Sequence, residues 1–499
     1  MDGSGAPPSS HVSARAVGRR PQRAQVPRPE SRTLIIGEPT VRILLVVHRA
    51  LPHSIGGVEL WADALARGLH AHGSEVAMLA LARRDDEPMF SLQTETAQWG
   101  TTFWLSHELS AARSFRDTWH DPRLEAPVRE VLARFNPDVV HLAHPDGWGV
   151  WPLRSGRDHG AVTVATLHDY KWICGRGQMV RPPGQRCESI EEDRCTRCLR
   201  DQLGGGQGRS LLRHLAPRGL RERLRTADEQ SDPSARGEPG LRVRRRWRSR
   251  QIALMASLRD ADLVISPSRF VAERFQAAGL DRAVTVIPNG LDASERQPPR
   301  RPLSGPLRVG FFGNPHRTKG LDTLVRAVAS RPAGSVQLRV YGATAIDLEE
   351  AGASGLSQHL MKAMGTYPAG SAVEHMEEVD VVAIPSTWDE NHPLVAIEAR
   401  LARKPLVVAD RGGLPELVRD QLDGWVLPAA DPAAWGERLG LLSANRSLLG
   451  QAVREIAPPA SAYQMADDHL TAYEECGATR TANYATGGTR NSALAGPSR

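Results

Sequence analysis

Apolar residues in this chain fall into short unbroken runs, each followed by a turn and then by a stripe at helical spacing. The first run is Arg42 to Val47 (RILLVV); a loop ending at Gly56 and Gly57 follows, and then Val58, Trp61, Leu65 and Leu69 share one face. An uninterrupted apolar run of this length predicts a strand buried on both faces, and the 3.6-residue stripe predicts a helix packed on it. The pattern recurs at Leu307 to Phe312 (LRVGFF), with a glycine-bounded loop from Gly313 to Gly320 and then Leu321, Leu324, Val325 and Val328. Further runs extend the first half at Val139 to Leu142, Val162 to Leu167 and Leu263 to Ile265. The second half has Val336 to Tyr341, Val379 to Ile384 and Pro405 to Ala409. Strands alternating with helices predict parallel sheets covered by helices, built twice: an α/β fold of two doubly wound Rossmann-like domains facing a cleft.

A length of 499 residues agrees with two cores rather than one. The proline-rich break after Ile287-Pro288-Asn289-Gly290 predicts the boundary, with one domain over residues 39–286 and the other over 287–460. A helix over 461–476 is expected to return, and the basic tail 1–38 and the polar tail 477–499 to be disordered. Gly204 to Gly240 lacks periodicity and reads as an insertion or mobile loop, part of an arginine-rich stretch spanning 202–250. Hydrophobic residues at 40% and charged residues at 24% fit a soluble globular chain. No apolar run approaches the ~20 residues that cross a bilayer, and Met1 to Glu38 has no apolar core of a secretory signal. The expectation is a cytoplasmic protein.

In doubly wound sheets ligands bind at the carboxyl ends of strands, which singles out Ile384 to Glu398, IPSTWDENHPLVAIE. A strand ends at Ile384, Glu390 stands in the loop, and Pro393 opens a helix through Leu394, Val395 and Ile397 to Glu398. The free N–H groups and positive dipole end of that helix suit a diphosphate. Carboxylates placed like Glu390 and Glu398 can accept hydrogen bonds from sugar and ribose hydroxyls. The first strand is not followed by G-x-G-x-x-G, which argues against a nicotinamide or flavin enzyme.

Glu390 and Glu398 together resemble the Glu-x7-Glu signature of the retaining glycosyltransferases of family 4, group 1, which have the GT-B fold. The resemblance implies that Glu390 meets the donor sugar and Glu398 the ribose. Gly313 to Gly320 (GNPHRTKG) is similar to the family's glycine loop, so Lys319 is the expected diphosphate ligand. Where the family often carries arginine, this chain has Asn314, and Arg317 is the nearest substitute. Where the family often continues Pro-Phe-Gly after the first glutamate, this chain has Asn391-His392-Pro393. Gly56-Gly57-Val58-Glu59 resembles the N-terminal glycine loop, Gly342 and Gly412-Gly413 resemble further strand-tip loops, and His168 matches a histidine that meets the donor sugar. A lone histidine can equally be a packing residue. The implied reaction transfers a sugar, with retention, from a nucleotide-sugar donor to an acceptor that the sequence does not name, and it requires no catalytic cofactor. A non-catalytic sugar-nucleotide-binding protein and a GT-B epimerase are the alternatives.

Two features stand outside that reading. Cys174, Cys187, Cys195 and Cys198 cluster after His168, and Cys195-x2-Cys198 has a metal-knuckle spacing, so a structural zinc site and simple reduced thiols are both open. Six arginines from Arg242 to Arg250 surround Trp247. They read either as a solvated helix face or as peripheral contact with an anionic inner membrane face that carries a lipid-linked acceptor. Nucleic acid is not expected, because the basic clusters lie away from the strand-tip loops.

Overall fold

The computed structural model describes residues 41–82, 86–107, 114–182, 184–200, 240–292, 305–353 and 360–478, all within one compact unit, Pro39–Thr481. Both tails and residues 201–239 lie outside the described residues, and with them the expectations of disordered tails and of an insertion or mobile loop.

The first sheet has eight strands in the spatial order Thr285–Val286, Leu263–Ser266, Val162–Thr166, Val139–Leu142, Arg42–Val47, Glu75–Ala82, Gly100–Ser106 and Leu92–Ala97. All neighbours are parallel except the last pair, which is antiparallel. Alternation along the buried run explains the two-sided packing. Leu44 and Val46 face one core, with Leu132, Trp148 and Phe275; Ile43, Leu45 and Val47 face the other, with Trp61 and Leu65. Burying each such side chain contributes about 1.5–3 kcal/mol.

The second sheet has six parallel strands in the order Met361–Gly365, Val336–Tyr341, Leu307–Phe312, Val381–Ile384, Leu406–Ala409 and Gly424–Leu427. The chain crosses back over the first sheet in the helix Ala462–Glu475, which packs on the helix Gly57–Ala71. A Cβ at Gly68 would stand 2.3 Å from the Ala462 carbonyl oxygen, so the crossing requires a glycine. Tyr473 then reaches the buried His141 at 2.7 Å, and His141 is bonded in turn to Thr166 at 2.6 Å.

Each sheet reverses its winding direction once. In the first the reversal lies between Arg42–Val47 and Val139–Leu142, and in the second between Leu307–Phe312 and Val381–Ile384. Crevices at such reversals are where doubly wound folds hold ligands. Among the described residues no helix is long and apolar enough to cross a membrane.

Candidate functional site

The reversal in the second sheet brings Lys319 to Glu390. Lys319 ends a short 3-10 turn, Arg317–Lys319, after the first strand of that sheet, and Glu390 stands in the loop after Val381–Ile384. Lys319 Nζ donates to Glu390 Oε1 at 2.7 Å, and Ser386 Oγ donates to the same oxygen at 2.6 Å. Lys319 also lies 5.4 Å above the Trp388 ring. Glu390 is 4% exposed, so its charge is held by these donors rather than by water.

Glycine shapes the Glu390 loop from outside. Gly412 has φ +60°, and a Cβ there would lie 2.0 Å from the Glu390 carbonyl oxygen. The neighbouring Gly413 N–H donates to that oxygen at 2.7 Å. Gly313 opens onto free space with φ +127°, while Gly342 packs on the Gly313 carbonyl. Asn314 and Arg317 are exposed.

The helix after Glu390 is Leu394–Leu401, and Pro393 is its N-cap rather than its first helical residue. The unpaired first-turn amides therefore begin at Leu394 and Val395. Glu398 sits one turn on, nearly fully buried, and burial pushes its carboxyl up to about 7. Burial and the proximity of Glu398 push Tyr367 up to about 12.

Across the cleft, His168 follows the strand Val162–Thr166. Its ring meets Trp61 edge-on with centroids 4.2 Å apart, and its Nε2 is buried without a hydrogen-bond partner. Burial, reinforced by the neighbouring His144, lowers His168 to about 3, so it is a neutral imidazole with an unused nitrogen. Gly56 caps the helix Gly57–Ala71, backed by the buried Glu59 that Ser54 holds at 2.9 Å, and Gly57 faces open space.

Several residues that join the halves were not legible in the sequence. Asp389, 1% exposed, is gripped by Arg186 at 3.1 Å and Arg274 at 3.0 Å. Asn391 Nδ2 donates to the Leu167 carbonyl, beside His168, at 2.6 Å, and Asn391 Oδ1 accepts from Ser268 Oγ at 2.7 Å. Glu416 accepts from the backbone N–H groups of Arg269 and Phe270, capping a helix of the first half from the second. At the first sheet's reversal, His144 Nε2 lies 3.0 Å from Asp169, and Lys171 pairs with Asp146 at 3.0 Å. His144 Nδ1 already accepts the Asp146 amide, so the Nε2 proton is the one shared with Asp169. Burial pulls His144 down, and Asp169 outweighs it, giving a net upward shift.

The four clustered cysteines are close enough to influence one another, and burial with the other three pushes Cys195 up to about 12. Cys198 Sγ accepts from Arg176 Nε at 3.1 Å. Among the described residues, however, no three His, Cys, Asp or Glu side chains gather as a group that could hold a metal ion. The residues present do not make the zinc cage that the Cys195-x2-Cys198 spacing suggests.

Two parallel Rossmann-like sheets with strand-tip loops meeting at a cleft define the GT-B architecture. Sucrose-phosphate synthase from Thermosynechococcus elongatus shares it at 18% identity with a TM-score of 0.60, over 87% of this chain and 98% of that one. The Anabaena protein HepE, solved in complex with UDP and glucose, shares it at 15% identity and a TM-score of 0.55, over 87% and 99%. The family described as Glycosyltransferase Family 4 matches residues 55–187 and 211–295, and Glycosyl transferases group 1 matches 306–445. The chain belongs to glycosyltransferase family 4, group 1. It is 28% identical over 223 residues to a D-inositol 3-phosphate glycosyltransferase of Nocardia farcinica, covering 40% of this chain and 49% of that protein. It is 30% identical over 223 residues to the Corynebacterium jeikeium protein of the same name, covering 39% and 52%. The chain thus spans about half the length of the curated relatives it matches.

Proposed function

We propose that this protein is a retaining glycosyltransferase that moves a sugar from a nucleotide-sugar donor to a hydroxyl of an acceptor. The observation that carries the reading is the Lys319–Glu390 pair, 2.7 Å apart at the second sheet's reversal, opposite a neutral His168 with a free buried nitrogen. The donor diphosphate lies at Lys319, Arg317 and the amides of Leu394 and Val395, where backbone dipoles and cations offset charge that grows as the bond to the sugar breaks. Gly313, Gly342, Gly56 and Gly57 allow close backbone approach. When the donor arrives, Lys319 turns from Glu390 to the phosphate, and Glu390 is released to the sugar hydroxyls together with His168. Glu398 takes the ribose. No step calls on a metal. Enzymes called D-inositol 3-phosphate glycosyltransferases among the relatives, and a structural neighbour holding UDP, make UDP-sugars the first donors to try. We place the reaction in the cytoplasm, where the acceptor is a soluble molecule or a lipid-linked one reached from the inner membrane face.

The test is a thermal-shift panel of nucleotide sugars followed by product analysis. A ligand at ~100 times its Kd adds ~2.7 kcal/mol of stability. Stabilisation by no nucleotide sugar, or stabilisation without transfer to any acceptor, would refute the reading; a changed sugar in the absence of acceptor would mark an epimerase.

Two further outcomes follow from the donor side. Arg317→Ala should weaken nucleoside-diphosphate binding by about tenfold, the low end for a charge-assisted contact because Arg317 is exposed. Arg317→Lys should recover part of the loss, and Asn314→Arg in the Arg317→Ala background should restore binding. Unchanged diphosphate affinity in Arg317→Ala would make Arg317 a solvated loop residue.

Glu398 predicts a pH effect. Its carboxyl is raised from 4.5 to about 7, so the folded state resists ionisation. The unfolded chain therefore binds fewer protons, and this group's contribution to stability falls as pH rises from 4.5 through about 7. Nucleoside binding should show the opposite trend, strengthening as pH rises through 7, because the ionised carboxylate is the better acceptor for ribose hydroxyls. Calorimetry across that range should find the trend in the parent and a flat profile in Glu398→Gln. A slope that persists in Glu398→Gln would assign it to another group.

A further inference from the structure

The arginine-rich helix Leu241–Asp260 sorts its charges by face. Arg244 and Arg248, four apart, turn to the short helix Glu192–Cys198 and pair with Glu192 and Asp193. Arg250 turns inward and donates to the Lys171 carbonyl. Arg242, Arg245, Arg246 and Ser249, at i, i+3, i+4 and i+7, share a third face. That face lines a cavity of about 570 Å3, completed by Ser114, Phe115, Arg116 and Trp119.

The side chains of Arg116, Arg242 and Arg245 have no ion-pair or hydrogen-bond partner among the described residues. Three like charges around one concavity repel one another, and a bound anion relieves that repulsion. Trp119 lies in the same wall, 8% exposed, with its Nε1 buried and unpartnered. A buried donor without a partner is costly unless something accepts from it. Guanidinium groups with aromatic walls match a phosphate attached to a carbon skeleton.

The cavity also borders on the strand-tip loops of the first sheet. Phe115 also lines a second cavity of about 300 Å3, with Asp121, Asp146, Gly147 and Lys171 among its walls. Asp146 is paired with Lys171, whose amide is bonded to Asp169, the residue after His168. The second cavity is thus walled by Lys171, in the loop that follows His168, and by Asp146, in the loop after Val139–Leu142.

Resting on the transfer reading above, we infer that the acceptor carries a phosphate or diphosphate, which docks between Arg116, Arg242, Arg245 and Trp119 while the accepting hydroxyl lies toward Asp146 and His168. The same chemistry is offered by a soluble phosphorylated sugar or polyol and by the phosphate headgroup of a lipid. The concave shape, rather than a flat basic surface, is what favours a ligand site over general attraction to a charged membrane.

The probe is inorganic pyrophosphate, titrated calorimetrically into the full chain saturated with the nucleoside diphosphate that the donor screen selects. The expected result is one further pyrophosphate site, weakened at least about tenfold in Arg242→Ala/Arg245→Ala, with nucleoside-diphosphate affinity unchanged. Both arginines are exposed, so the variant keeps its core. Pyrophosphate binding only by displacement of the nucleotide, or equal binding by the variant, overturns the inference and leaves the transfer reading intact. Failure of every nucleotide would instead sink the transfer reading, and pyrophosphate titration of the nucleotide-free variant would still report on the arginine cavity. A soluble sugar 1-phosphate and phosphatidylcholine vesicles doped with phosphatidic acid then separate the sources. Arginine-dependent binding of the first identifies a soluble acceptor, arginine-dependent binding of the second a lipid-linked one, and binding of neither overturns the inference.

Discussion

Glu390→Gln is expected to lower turnover by roughly 100-fold or more while the protein stays folded. The carboxylate is buried, with Lys319 at 2.7 Å and Ser386 at 2.6 Å on one oxygen. Glutamine preserves the shape and still accepts from Ser386, so the loop has no steric reason to move. Lys319 loses a charged partner, but it is about one-third exposed and water can solvate it. The lost quantity is a negative charge facing the sugar when positive charge develops at its anomeric carbon. The effect should therefore appear in kcat more than in donor binding. Near-normal kcat in a folded variant would remove Glu390 from the reaction.

Asp389→Ala is expected to cost about 3–5 kcal/mol of stability, the usual effect of removing one partner from a buried charge pair. Arg186 and Arg274 both reach this carboxylate, and neither side chain is highly exposed, so its loss leaves two guanidinium groups facing each other with Glu188 as the remaining polar contact of both. Because Asp389 adjoins Glu390 in the chain, the change should also loosen the donor loop and lower kcat. Arg186→Gln and Arg274→Gln leave one partner each and should cost less individually. Chemical denaturation and a double-mutant cycle read both effects. A loss below about 1 kcal/mol would mean that the two arginines are held by other contacts and do not clamp the loop.

The second-domain half of the proposed site was legible in the sequence because its physics is local. A buried strand, a loop and a helix in sequence place Glu390, Leu394 and Glu398 at one strand tip, and a glycine-bounded loop after another strand marks Lys319. The paired strands Glu75–Ala82 and Gly100–Ser106 lie outside the runs that the sequence pattern marks, although the first, EVAMLALA, is itself an almost unbroken apolar run. Their neighbours in the sheet carry the pattern, but the sequence alone does not count strands.

The clamp was hidden for a different reason. Asp389 meets Arg186 across 203 positions and Arg274 across 115, and Asn391 meets the Leu167 carbonyl across 224. Ordinary polar residues in loops carry no periodicity, so nothing short of the fold pairs them. The cysteines show the reverse case: a spacing that suggests metal is not sufficient, because a cage needs ligands converging in three dimensions.

By itself, then, the sequence determined the alternation of strands and helices, the two-sheet architecture and the strand-tip positions of Lys319 and Glu390, because hydrophobic period and turn chemistry act within a few residues of one another. Tertiary structure alone decided which carboxylate meets which arginine, which face of the arginine-rich helix is paired and which lines a cavity. Those outcomes depend on burial and on charges brought together from distant positions, and an isolated stretch of chain contains neither.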